Sequence, residues 1–75
     1  SNEQLCAAWQ AAAGPALAKF SQPLAVRRGK LEVLVVSGLM MQEIGFARSR
    51  ILTELQQKMP EANISDLKLR VGKIE

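Results

Sequence analysis

Few side chains in this protein could do acid–base, nucleophilic or metal chemistry, and their spacing works against each of those uses. General acid–base catalysis most often rests on histidine, and the 75 residues contain none. The seven carboxylates, Glu3, Glu32, Glu43, Glu54, Glu61, Asp66 and Glu75, are scattered. Glu43 and Glu54 fall in what reads as the longest helix, but they sit eleven positions apart among solvent-type neighbours, the pattern of a solvated helix face. Cys6, the single thiol, lies among alanines with no histidine to activate it, so it reads as structural rather than nucleophilic. One cysteine and no histidine can complete neither a disulfide nor a nitrogen–sulfur metal site. The glycines at 14, 29, 38, 45 and 72 form neither a Walker loop nor a dinucleotide fingerprint. This inventory argues against an enzyme and for a binding module that uses no cofactor and no metal.

The basic residues offer a different chemistry. Ten Lys/Arg against seven Asp/Glu give a net charge of +3, which permits an anionic partner without demanding one. Their placement says more than their number. Arg27, Arg28 and Lys30 cluster around a turn, while Lys68, Arg70 and Lys73 lie near the end of the chain. Lys68 and Arg70 alternate with Leu67, Leu69 and Val71, so they share the polar face of a strand. If helices cover the other face, these two point to an open face that Arg27 joins. Such a strip could follow a phosphate backbone in a salt-dependent way. The competing reading is a set of ordinary solvated charges, with edge-strand Lys and Arg blocking unwanted strand pairing. Trp9, Phe20 and Phe46 read as core, and there is no tyrosine, so base stacking and sequence-specific readout are not expected.

The elements that must position these residues follow from periodicity. Leu5, Ala8, Trp9 and Ala12 put one apolar face on a helix over residues 3–13, and Gly14-Pro15 ends it. A short helical turn through Leu17 and Phe20 is stopped by Ser21-Gln22-Pro23. Residues 24–28 and 31–36 then form a hairpin across Arg28-Gly29-Lys30, where glycine suits the positive φ of a tight turn. Both faces of the second strand are largely apolar, which places it centrally in the sheet. Leu34 and Val36 make part of the second face greasy, to be covered by a partner, a second copy of the chain, the first helix or further chain. Ser37 is the expected N-cap of one long helix over 39–58, with Met40, Ile44, Ala47, Ile51 and Leu55 as its stripe and Gly45 in its middle. Pro60 ends it, and residues 64–74 read as a third strand.

A chain of this length makes one domain, with residues 3–75 as its extent and Ser1-Asn2 read as a tag remnant. The simplest architecture is α+β, with one layer of helices on a three-stranded sheet. No apolar run approaches the ~20 residues of a membrane span, and the lone thiol fits the reducing cytoplasm.

Several short motifs occur together in a fixed order: Trp9-x-x-x-x-Gly14, Pro23 ahead of Arg28-Gly29-Lys30-Leu31-Glu32-Val33, Val36-Ser37-Gly38, Gln42-Glu43-Ile44 and Ile64-x-Asp66-Leu67-x-Leu69-Arg70-Val71-Gly72. Over residues 5–74 the chain resembles the DciA family, bacterial proteins first known as a domain of unknown function. The resemblance implies a KH-like α-β-β-α-β fold. It also implies a place in DNA replication as an operator or loader of the replicative helicase that binds DNA, single-stranded or duplex, without sequence specificity. Arg27, Arg28, Lys30, Lys68 and Arg70 are then the DNA-facing candidates. The chain departs from the family pattern at Met40-Met41, where an aromatic residue is common, and at Lys19-Phe20-Ser21, where many members have a histidine. It also lacks the G-x-x-G loop by which standard KH domains clamp a nucleic-acid backbone, which counts against an RNA-binding KH-like protein. The other alternative is a structural interaction domain that forms a homodimer through the exposed sheet and binds no nucleic acid.

Overall fold

The computed structural model describes residues 2–75, so Ser1, half of the expected tag remnant, lies outside the described residues. The chain runs α1 (Asn2–Ala13), α2 (Pro15–Ala18), β1 (Ser21–Arg27), β2 (Lys30–Val35), α3 (Gly38–Phe46), α4 (Arg48–Lys58), a 3-10 turn (Pro60–Ala62) and β3 (Asp66–Val71). This is an α+β fold with the expected α-β-β-α-β order. The sheet order is β1-β2-β3, with β1 antiparallel and β3 parallel to β2. β2 is the central strand, pairing with β1 along one edge and with β3 along the other, and it buries only the Leu31, Val33 and Val35 face. Parallel neighbours need a long crossover, which α3 and α4 supply.

Leu31, Val33 and Val35 of β2 are fully buried against Trp9, Ala12, Ile44, Ile51 and Leu55 from the helices and Leu67 from β3. The only buried polar residue among those described, Ser21, does two jobs there. Its hydroxyl donates to the Leu17 carbonyl at 2.7 Å and accepts from the Trp9 indole N–H at 2.9 Å. A buried indole needs such a partner, and the link fixes α1, α2 and β1 to one another. Arg50 ties the helices in the same way, donating to the Ala12 carbonyl at 2.8 Å in the last turn of α1, where a cation also suits the helix dipole.

Four sequence expectations change. The single long helix is two, because the chain breaks at Ala47, whose N–H is shared among the carbonyls of Glu43, Ile44 and Gly45. Gly45, a poor helix former, sits two positions before the break. Phe46 projects into solvent at 76% exposure, and Phe20 is 39% exposed, so neither is core; only Trp9 is. Ser21-Gln22-Pro23, read as a stop, begins β1, with a bulge at Leu24 accommodating the proline on an edge strand. β3 is shorter than residues 64–74, ending at Val71. Ser37 caps α3 as expected, accepting from the Met40 N–H at 3.2 Å.

Candidate nucleic-acid interface

The hairpin turn sets the geometry of the basic residues. Arg28 (φ 53°) and Gly29 (φ 80°) both take positive φ, the two-residue connection whose twist matches a hairpin. A side chain at Gly29 would also meet the Ser65 hydroxyl at 2.9 Å. The Gly29 carbonyl accepts from the N–H groups of Ser65 (2.7 Å) and Asp66 (3.2 Å), so the turn is pinned to the start of β3. Flexible as their ends are, Arg27, Arg28 and Lys30 thus stem from a backbone held in place.

Register then assigns the open face. Arg27 pairs with Lys30, which pairs with Asp66. In the next row Ala25 pairs with Glu32 and Glu32 with Lys68; beyond it Gln22 pairs with Leu34 and Leu34 with Arg70. Cross-strand partners share a face, so Arg27, Lys30, Lys68 and Arg70 lie together on the side opposite the buried Leu31, Val33 and Val35. Arg28 extends this group at the hairpin tip. Leu24, Glu32, Val33, Lys68 and Arg70 line a shallow depression of about 80 Å³ on this face.

The sequence reading missed the carboxylates on this surface. Glu32 stands between Arg27 and Lys68, and its Oε1 lies 3.7 Å from the Arg27 Nε. With Arg27 largely in solvent that pair is worth little in stability, yet it partly neutralises one of the five cations. Asp66 lies beside Lys30 but is occupied from the helix side. Its carboxylate accepts from the Leu67 N–H at 2.8 Å and forms an ion pair with Arg48, which also donates to the Leu67 carbonyl at 3.1 Å. The Leu67 N–H, followed by the Arg48 guanidinium and then Lys30, holds the Asp66 carboxyl below its ordinary value. Among the described residues Arg28, Lys30, Lys68 and Arg70 have no carboxylate within ion-pair distance. Alternation in β2 could have exposed Glu32; the Arg48–Asp66 link spans eighteen positions and carries no local signal.

At the far end of the open face the greasy positions are partly covered by the chain itself. Gly72 lies so close to Leu34 that a Cβ there would come within 2.9 Å of its side chain, and the Glu75 N–H donates to the Gln22 side chain at 3.2 Å. A second exposed surface lies on α3. Leu39, 68% exposed, and Phe46 are seven residues apart and so share one helix face.

The chain is a small α+β domain whose hairpin is pinned to the start of β3 and whose basic residues share one face of the sheet. The chain belongs to the DciA family: the family described as "Dna[CI] antecedent, DciA" matches residues 1–69. Its role is that of an accessory protein of DNA replication. No curated protein matches the chain. Among the described residues no helix is long and apolar enough to cross a membrane.

Proposed function

We propose that this protein binds DNA through the open face of its sheet and contacts the replicative helicase, acting in the cytoplasm without chemistry of its own. The observation that carries the DNA half is the gathering of Arg27, Lys30, Lys68 and Arg70 on one uncovered face, with Arg28 at its tip. Side chains of this kind neutralise phosphates and release counterions without reading bases. No aromatic residue stands among the paired residues of that face, which fits binding without sequence preference. The helicase half rests on membership of the family, supported by Leu39 and Phe46, which α3 presents to solvent where a protein partner could bury them.

Fluorescence anisotropy of labelled single-stranded and duplex DNA over a salt series tests the first half. Affinity that weakens steadily with salt and does not depend on sequence is expected; no binding at low salt sinks it. Co-purification with the host's replicative helicase, lost in Phe46→Ser, tests the second. The exposed Leu39 and Phe46 also favour a second reading, a homodimer through α3. Sedimentation showing a dimer that Phe46→Ser dissociates would replace the helicase contact with self-association.

A further inference from the structure

The outer edge of β3 has a main-chain pattern that neither DNA binding nor the fold uses. The N–H groups of Asp66 and Gly72 donate inward, to Gly29 at 3.2 Å and Val35 at 2.9 Å. Main-chain groups alternate sides along a strand, so those of Leu67, Leu69 and Val71 point outward, away from β2. Leu67 is satisfied on that side, its N–H by the Asp66 carboxylate and its carbonyl by Arg48. Leu69 and Val71 make no hydrogen bond on that side among the described residues. Val71 is 51% exposed. The chain after Gly72 leaves toward Gln22 of β1 instead of folding back over this edge.

We propose that the Leu69–Val71 edge of β3 accepts an added strand from another protein, an extended segment in which acidic residues alternate with apolar ones. Side chains of an added strand continue the two faces of the sheet. Those beside Lys68 and Arg70 meet two positive charges with no carboxylate partner, which selects Asp or Glu. Those on the other face meet Leu69 and Val71, which selects apolar residues. The same charges reject a second copy of this chain, because β3 against β3 would set Lys68 and Arg70 against their own kind, the usual device by which edge strands avoid self-pairing. Lys68 and Arg70 also belong to the proposed DNA face, so strand and DNA compete for them. The inference goes beyond the DNA reading and does not need it.

The probe is a labelled heptapeptide of alternating Glu and Val, compared with its Lys-for-Glu counterpart and with a peptide of the same composition lacking the alternation. Binding is read by anisotropy and by amide NMR shifts of the whole 75-residue chain. The alternating acidic peptide should bind at least about tenfold tighter than either control and shift the Leu69 and Val71 amides most. Val71→Pro removes only an outward N–H, a change tolerated on an edge strand. It should weaken the peptide roughly tenfold, the upper worth of one main-chain bond, while DNA affinity stays as it was. If that variant fails to fold, Lys68→Glu with Arg70→Glu serves instead and should reverse the preference toward the Lys peptide. Equal binding of the alternating and non-alternating acidic peptides would show a merely electrostatic contact and overturn the proposal. Unchanged peptide binding in Val71→Pro would overturn it too, as would a free protein already dimeric with its Val71 amide protected.

Discussion

Replacing Lys68 and Arg70 together by alanine should flatten the salt dependence of DNA binding by a calculable amount. Four cations on and beside the open face, Arg28, Lys30, Lys68 and Arg70, have no ion-pair partner among the described residues. If each neutralises one phosphate of duplex DNA, log K falls against log salt with a slope of about −3.6. Raising salt from 50 to 200 mM then weakens binding by roughly 150-fold. The double variant retains two such contacts, so its slope is about −1.8 and the same change costs roughly twelvefold. Both side chains are on the open face of an edge strand and support no core contact, so the fold should survive; circular dichroism checks this. The assay is anisotropy of a labelled duplex at five or six salt concentrations, with Lys58→Ala as control, since Lys58 lies at the end of α4 in the helix layer. An unchanged slope in the double variant, or an equal flattening in Lys58→Ala, would show that the sheet face does not carry the contact.

Other consequences can be checked independently. Glu32→Gln should free Arg27 and remove a negative charge from the face, tightening DNA binding and steepening the salt slope by about 1; weaker binding would mean that Glu32 positions Arg27 usefully. Ser21→Ala leaves the buried Trp9 indole N–H without its acceptor, which costs about 1–3 kcal/mol and lowers Tm by about 4–8 °C for each kcal/mol; thermal melts followed by Trp9 fluorescence read it. Asp66→Asn should destabilise the protein at neutral pH and lose that effect in acid. The Asp66 carboxyl is held below its ordinary value by the Leu67 N–H and Arg48, so its contribution is present above the unfolded value near 3.9 and fades as pH falls through the lower folded one. Denaturant midpoints of both proteins from pH 7 to pH 2 should converge at the acid end; a gap that persists there would place the cause elsewhere.

Much of the architecture was legible along the chain because its cues are local. Leu5, Ala8, Trp9 and Ala12 recur at helical spacing, Gly14 and Pro15 break the backbone where they stand, and Ser37 caps the helix that follows. The apolar run Leu31 to Val36 pointed to β2 as the central strand, which it is, although only its Leu31, Val33 and Val35 face is buried. The break at Ala47 escaped the pattern because the apolar stripe runs through it unchanged: Ile44 and Ile51 on either side are both buried. Phe46 and Phe20 were misread for a related reason. A large apolar residue has no local mark that says whether the element beside it faces a neighbour or water.

The candidate surface divides along the same line. The sequence by itself determined which residues could bind an anion, since alternation puts Lys68 and Arg70 on one face of a strand whatever lies next to it. It also determined the inventory, no histidine and one thiol, from which acid–base or nucleophilic catalysis would have to be built. Only the tertiary structure decided what stands between those charges. The register of β1, β2 and β3 inserts Glu32 into the basic face and sets Asp66 beside Lys30. The packing of α4 against β3 brings Arg48 to Asp66, leaving Lys68 and Arg70 unpaired and closing the strand edge at Leu67 while Leu69 and Val71 stay open. Strand register and helix docking come from contacts between distant segments, and a one-residue slip would turn every side chain of a strand to the other face.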